Sequence, residues 1–243
     1  MNKLKIAVIG SGISGLGAAY LLHDRYNVTL FEANDRLGGH TNTVTSPNGC
    51  AVDTGFIVFN EKNYPNFCRL LERLGIDSIL SDMSFGYYDQ ARDYYYSSDF
   101  PNGIFSKKKN LVSPSYYRFL SEIFRFNRIG QQTLSNDVSS ATIGEFLNHY
   151  KFSSKFIHEY VIPMGSAIWS TPHSDTLQFP AKSFLSFWNN HCLLQVLNRP
   201  KWRTVKNGSQ SYIDAILTQT KLNVHLNHPI QSIIRHKNGV ILH

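Results

Sequence analysis

Three glycines near the N-terminus have the spacing of a phosphate-binding turn. Gly10, Gly12 and Gly15 form the pattern G-x-G-x-x-G, which follows a short apolar run and precedes a segment with helical periodicity. In such a turn the first glycine permits a tight bend, the second lets the backbone approach a pyrophosphate, and the third lets the helix pack closely on the strand. We expect the N–H groups around Ser14, at the helix start, to face the phosphates.

An acidic residue stands where a dinucleotide-binding unit needs one. Segments 4–10 and 27–32 are typical of two strands joined by a helix, and Glu32 ends the second strand. Its carboxylate can accept hydrogen bonds from both hydroxyls of an adenosine ribose, and it would repel a 2'-phosphate. The pattern therefore favours FAD or NAD over NADP and leaves the choice between FAD and NAD open.

The segment after Glu32 favours FAD by resemblance. FEANDRLGGHTNT, at residues 31–43, resembles the E-x-x-x-R-x-G-G-R signature of the flavin-containing amine oxidoreductases, a family that includes monoamine and polyamine oxidases and the related carotenoid desaturases. The resemblance implies FAD as the cofactor, with Ala33, Arg36, Gly38 and Gly39 at its site. An arginine suits a diphosphate because it donates paired hydrogen bonds, and glycines let the backbone pass close to the cofactor.

One position departs from the signature. His40 stands where the family has arginine, and a histidine carries charge only below about pH 6 to 7. A cofactor contact and an ordinary place in a surface loop both stay open for it. The family architecture also implies that a strand such as HPIQSIIRH, at residues 228–236, supplies a backbone N–H and C=O to the adenine near Ile230.

Further blocks extend the resemblance over nearly the whole chain. Residues 52–76 and 201–217 look like a branch described as predicted NAD/FAD-binding proteins, whose genes tend to lie near cyclopropane-fatty-acid synthases. The family closes its flavin site with a later G-D motif, and the 243 residues contain no such run. The resemblance therefore implies the N-terminal part of a longer protein, which would hold FAD less completely.

The order of the predicted elements indicates an α/β fold of two domains. A Rossmann-like FAD-binding domain, which begins with a β-α-β unit on a parallel sheet, takes residues 1–75 and 200–243 and is incomplete at its C-terminal end. Residues 76–199 form an inserted, substrate-facing domain with a mixed β-sheet and helices. Thr142 and Glu145 have capping-box spacing, which predicts the start of a helix there.

Composition restricts the partners less than the motifs do. A net charge of +7 suits anionic ligands, nucleic acid or a membrane surface. Because the motifs indicate a small-molecule cofactor and substrate, we expect no nucleic-acid partner, while peripheral membrane contact stays open. Cys50, Cys68 and Cys192 are widely spaced and form no C-x-x-C pair, which predicts neither a disulfide framework nor a metal site and fits a cytoplasmic location.

The resemblance implies an FAD-dependent oxidoreductase of the amine oxidase or desaturase type, which transfers a hydride from a lipid-like or an amine substrate to the flavin. No catalytic residue is assigned, and Lys182 is a candidate for the lysine that amine oxidases place near the flavin. The aromatic residues between Met83 and Trp202 fit either an apolar substrate tunnel or plain core. Two other functions stay open: a noncatalytic FAD-binding or nucleotide-binding fragment, and an NAD-dependent dehydrogenase.

Overall fold

The computed structural model describes residues 3–99, 102–135, 142–195 and 200–243. The chain divides into two compact units, Met1–Ser81 with Lys201–His243, and Asp82–Pro200. The first predicted boundary, after residue 75, falls a few residues before the observed one, and the predicted boundary at residue 199 lies outside the described residues. In chain order, the described α-helices and strands are β1 (Lys5–Ile9), α1 (Ile13–Leu22), β2 (Asn27–Phe31), β3 (Thr43–Thr45), β4 (Ala51–Asp53), α2 (Pro65–Leu74), β5 (Ser78–Leu80), β6 (Gly86–Asp89), β7 (Tyr94–Ser97), α3 (Pro114–Ser135), α4 (Ile143–His149), α5 (Ser154–Phe156), α6 (Ile162–Trp169), α7 (His173–Thr176), α8 (Ala181–Asn190), β8 (Arg203–Val205), α9 (Gln210–Gln219), β9 (Asn223–His225), β10 (Ile233–His236) and β11 (Gly239–Leu242).

The first unit is built around a three-stranded parallel sheet in the order β1-β2-β9. β1 pairs with β2 from Lys5↔Asn27 to Ile9↔Phe31, and β9 pairs with the other edge of β2. Helix α1 makes the crossover that two parallel neighbours require. The predicted strand, helix and strand are therefore confirmed, and with them the α/β fold class.

Three helices supply the core of the first unit. Leu16 of α1 and Ile213 of α9 have no exposed surface, and Leu71 of α2 is 3% exposed. These side chains belong to one buried cluster. Burying each contributes about 1.5–3 kcal/mol relative to its exposed state, so the cluster fixes α1, and the turn before it, against the rest of the unit.

A half-buried carboxylate connects the two chain segments of this unit. Asp53, at the end of β4, accepts a hydrogen bond from the Ser209 N–H at 2.9 Å and another from the Ser209 hydroxyl at 2.9 Å. Ser209 has no exposed surface and directly precedes α9. The two bonds thus hold the start of α9 on the β3–β4 hairpin.

The second unit combines an antiparallel hairpin with helices. β6 and β7 pair over their full length, as the alternating aromatic residues of this segment predict. Within the described part of this unit the strands pair only with each other. Helices α3 to α8 follow the hairpin in the chain. None of the described helices is long and apolar enough to span a membrane.

The capping box predicted at the start of α4 is confirmed. The Thr142 hydroxyl accepts a hydrogen bond from the Glu145 N–H at 3.2 Å, and the Glu145 carboxylate accepts one from the Thr142 N–H at 3.0 Å. Two N–H groups that the helix leaves unpaired are satisfied in this way.

Glu159 places a negative charge inside the second unit. It is 3% exposed and lies in a π-helical turn, Ile157–Val161, between α5 and α6. Its carboxylate pairs with Arg92 at 2.8 Å and with Lys155 at 2.5 Å. The two cations offset the desolvation that burial imposes on the carboxylate.

Two glycines of α1 differ in what a methyl group would meet. A Cβ added at Gly15 would lie 1.9 Å from the Gly10 carbonyl oxygen, whereas a Cβ at Gly17 would meet nothing within 4 Å. We therefore expect Gly15→Ala to lower the free energy of unfolding by about 1–3 kcal/mol because the turn must move. Gly17→Ala should raise it by about 0.5–1 kcal/mol, since alanine favours the helix.

Urea denaturation of the protein without added ligand measures both changes. Equal effects of the two substitutions would contradict the close backbone contact between the turn and α1.

Candidate dinucleotide-binding site

The predicted phosphate-binding turn joins the end of β1 to the start of α1. Gly10 has a φ of +88°, in the left-handed region that favours glycine. Its N–H donates a hydrogen bond to the Phe31 carbonyl at 2.8 Å, which anchors the turn on β2. The backbone conformation thus requires glycine at this position, just as close packing requires it at Gly15.

Neither the backbone conformation nor close packing requires glycine at position 12. Its φ of −62° is accessible to any residue, and a Cβ added there would meet nothing within 4 Å. Gly12 caps α1 without a side chain, and the first bond of the helix joins the Leu16 N–H to the Gly12 carbonyl at 2.9 Å. The N–H groups of Ile13, Ser14 and Gly15 therefore have no acceptor within the helix. Open space beside these N–H groups fits a pyrophosphate.

The Glu32 carboxylate is almost fully buried and receives four hydrogen bonds from the protein. It is 6% exposed. Its Oε2 accepts from the N–H of Ser11 at 2.8 Å and from the Ser11 hydroxyl at 2.5 Å. Its Oε1 accepts from the N–H of Asn34 at 2.9 Å and from the Asn34 side-chain amide at 2.8 Å.

These bonds keep Glu32 charged. Burial by itself raises the pKa of the carboxyl group, but the bonds from Ser11 and Asn34 outweigh it and lower the pKa of Glu32 from its ordinary value of 4.5 to about 2. At neutral pH the group is a carboxylate. A charged acceptor at the end of β2 is what recognition of a ribose by this residue requires.

The same bonds add a condition to the predicted role of Glu32. A carboxylate offers about four lone-pair positions, and the donors of Ser11 and Asn34 use them. Binding of a ribose hydroxyl by Glu32 would therefore require that the hydroxyl replace one of these donors. Sequence reasoning missed both residues, although a hydroxyl inside the glycine turn and an amide two positions after Glu32 were visible signals.

The loop after Glu32 lies against the glycine turn. Gly38 is buried with a φ of +113°, and its N–H donates to the carbonyl and to the hydroxyl oxygen of Ser11, each at 3.1 Å. A Cβ added at Gly39 would lie 3.0 Å from the Cα of Gly12. Three separate segments of the predicted site are thereby brought together: the turn, the end of β2 and the paired glycines.

Three other predicted site residues are exposed on this loop. Arg36 donates to the carbonyl oxygens of Thr41 and Gly39, each at 2.9 Å, so its guanidinium closes the loop on itself. Ala33 and His40 are exposed. The contacts give Arg36 a structural role in the loop, and the cofactor contacts of all three residues stay predictions.

Ile230 lies half-buried between β9 and β10. The strand predicted around it is wrong at its start, because β10 begins at Ile233. The N–H of the nearby His228 donates to the Glu32 backbone carbonyl at 2.8 Å, which brings this segment to the end of β2. A contact between Ile230 and adenine stays a prediction.

Aromatic residues of the second unit form a packed core. Phe126, Phe184 and Trp188 have no exposed surface, and the Trp188 ring lies 5.6 Å from Phe126 and 4.8 Å from Phe184. For these three the contacts support plain core rather than a tunnel, while Phe124 is 58% exposed. Lys182 lies exposed on α8, and its place beside a flavin stays a prediction. The described residues contain no cluster suited to a metal ion.

Comparisons with known proteins show similarity to one family of flavin-containing oxidoreductases. A family model described as flavin containing amine oxidoreductase matches residues 13–243. Human amine oxidase [flavin-containing] B is 49% identical over 78 residues, which are 32% of this chain and 15% of that protein.

Solved structures share the fold at low sequence identity. Cyclohexylamine oxidase from Brevibacterium oxydans IH-35A aligns with a TM-score of 0.68 and 21% identity, over 100% of this chain and 55% of that one. A fatty acid isomerase from P. acnes, described as producing CLA, aligns with a TM-score of 0.66 and 16% identity, over 99% of this chain and 55% of that one. The chain thus spans about half the length of these structures.

Because the pKa of Glu32 is lowered, we predict that the free energy of unfolding decreases in acid. A lowered pKa in the folded state adds stability that is complete above pH 4.5 and is lost as the pH falls toward about 2. The shift corresponds to about 3 kcal/mol. Glu32→Gln should lower the free energy of unfolding at pH 7 by an amount of this order and should have a smaller effect at pH 3.

Urea denaturation at both pH values measures this difference, with Glu72→Gln on the exposed side of α2 as the control. A pH-independent effect of Glu32→Gln would show that the buried group does not carry the charge.

Proposed function

The chain belongs to the flavin-containing amine oxidoreductases, and on that premise we propose that it acts as an FAD-dependent oxidoreductase. The observation that carries the proposal is the meeting of the open helix start at Gly12, the charged Glu32 and the paired glycines Gly38 and Gly39. Each suits a different part of an extended dinucleotide. The cofactor, when bound, supplies a flavin ring that accepts a hydride.

Different residues of the first unit bind different parts of the cofactor. The N–H groups at the start of α1 stabilise the negative charge of the pyrophosphate. Glu32 orients the adenosine through a ribose hydroxyl and disfavours a 2'-phosphate. Gly38 and Gly39 let their loop pack closely against the glycine turn, next to the start of α1 where the pyrophosphate would lie. NAD would satisfy the first two contacts as well, and the loop with the paired glycines favours FAD.

An amine is the substrate class we propose first. Both the curated relative and one of the solved structures reported above are named as amine oxidases. A lipid-like substrate is the second candidate, because the fatty acid isomerase shares the fold to a similar extent and because the blocks at residues 52–76 and 201–217 resemble the branch near cyclopropane-fatty-acid synthases. We also propose a cytoplasmic location, which the widely spaced cysteines support.

A noncatalytic FAD-binding or nucleotide-binding chain is the alternative function, and one feature of the sheet concerns the binding of a partner. Among the described strands, β1 has a single neighbour, and its last residue, Ile9, is 45% exposed. A parallel strand is ordinarily covered on both faces, so the sheet of this unit leaves apolar surface open to water.

Spectroscopy of the purified chain tests the proposal. We expect bound or reconstituted flavin to absorb at about 450 nm, and this band to bleach anaerobically when putrescine or cyclohexylamine is added. Bleaching by an unsaturated fatty acid instead would select the lipid-like class. Stable flavin binding without bleaching by any of these compounds would support the noncatalytic role. A chain that takes up no FAD would contradict the proposal, and a fluorescence titration with NADH tests the dehydrogenase alternative.

Gly12 gives a variant that separates binding from folding. Gly12→Ala places a methyl group in the space beside the helix start without meeting any protein atom within 4 Å. We expect its free energy of unfolding to fall by no more than about 1 kcal/mol, because alanine is a poorer N-cap than glycine. Its Kd for FAD should rise by about tenfold or more, because the pyrophosphate loses its close approach.

Gly17→Ala on the same helix is the matched control and should bind FAD normally. Unchanged FAD affinity in Gly12→Ala would place the pyrophosphate elsewhere.

A further inference from the structure

We propose that the Ser11 hydroxyl is a fixed positioning group for Glu32, whereas the Asn34 side-chain amide is a replaceable donor whose place a ribose hydroxyl of FAD takes. This inference rests on the proposed function, since it concerns how the adenosine half of FAD is recognised. It predicts effects of opposite sign for two residues that hydrogen-bond the same carboxylate.

Ser11 is held from three sides. It has no exposed surface. Its hydroxyl donates to Glu32 Oε2 at 2.5 Å and accepts from the Gly38 N–H at 3.1 Å, while its own N–H donates to the same Oε2 at 2.8 Å. Rotation of the hydroxyl would break two hydrogen bonds at a site that water does not reach. The loss of free energy is larger there than for exposed hydrogen bonds, because water cannot replace the lost partners.

Asn34 is held differently. Its side chain is exposed, and its amide donates to Glu32 Oε1 at 2.8 Å. If the amide rotates away, it recovers hydrogen bonds from water at little cost. The Asn34 backbone N–H, at 2.9 Å from the same oxygen, stays in place. Oε1 can therefore exchange one neutral donor for another, and Oε2 cannot.

The exchange sets a requirement on the ligand. The group that replaces the amide must be a donor, because Glu32 offers only acceptor oxygens when it is charged. A ribose hydroxyl is such a donor, and a phosphate ester at the same position is not. The Asn34 amide and the ribose hydroxyl then compete for one lone pair of Oε1.

Removing the two side chains should therefore change FAD affinity in opposite directions. We expect Ser11→Ala to raise the Kd for FAD by about tenfold, since Glu32 loses its fixed orientation. Asn34→Ala should lower the Kd by up to about fivefold, because it removes the competitor. Neither variant should change the affinity for FMN, which has no adenosine.

Two matched variants control for stability. Ser209→Ala removes another fully buried serine hydroxyl of the first unit that donates to a carboxylate. Asn66→Ala removes an exposed asparagine side chain on α2. Both should bind FAD as the original chain does, even where Ser209→Ala unfolds at lower urea concentration.

The outcomes separate the inference from the proposed function. If the original chain binds no FAD, the proposed function fails and the exchange at Asn34 fails with it, while urea denaturation at pH 7 and pH 3 still decides the role of Ser11. Ser11→Ala should then reproduce part of the pH-dependent loss expected for Glu32→Gln, and Ser209→Ala should not. If FAD does bind, normal affinity in Ser11→Ala, or an equal loss in Asn34→Ala, would overturn the inference.

Discussion

The first unit depends on one buried negative charge. The carboxylate of Glu32 is held at the end of β2 by donors from two neighbouring segments, and its charge survives burial because the hydrogen bonds outweigh the desolvation. The Ser11 hydroxyl also accepts a hydrogen bond from the Gly38 N–H, which connects the Glu32 carboxylate to the loop of paired glycines. A loss of the charge would weaken the bonds from Ser11 and Asn34 to Glu32, whereas the backbone bonds from Gly10 to Phe31 and from Gly38 to Ser11, and the apolar core beneath them, would remain.

Much of this unit could be predicted because its signals are local. The apolar run, the glycine spacing and the returning strand predict the β-α-β unit that β1, α1 and β2 form. The contacts of Arg36 could not be predicted in the same way. Its motif suits a diphosphate, but whether a guanidinium reaches a ligand or closes its own loop depends on the path of the loop, which spacing does not determine.

Long-range contacts were the other limit of sequence reasoning. Nothing near Asp53 in the sequence indicates that it holds Ser209, and the pair forms only because the fold returns to the β3–β4 hairpin after the second unit. In the second unit, aromatic residues predict burial but do not distinguish a packed core from a lined cavity. Trp188 and its neighbours pack ring against ring, and this arrangement depends on helices that lie far apart in sequence.

We infer that the charged Glu32 orients the ribose of an adenosine diphosphate bound at the start of α1. A calorimetric titration of the purified chain with ADP and with its 2'-phosphorylated counterpart tests this role of Glu32. We expect ADP to bind and the added 2'-phosphate to weaken binding by about tenfold or more, because its negative charge would lie close to the carboxylate. Equal or tighter binding of the 2'-phosphorylated ligand would contradict it.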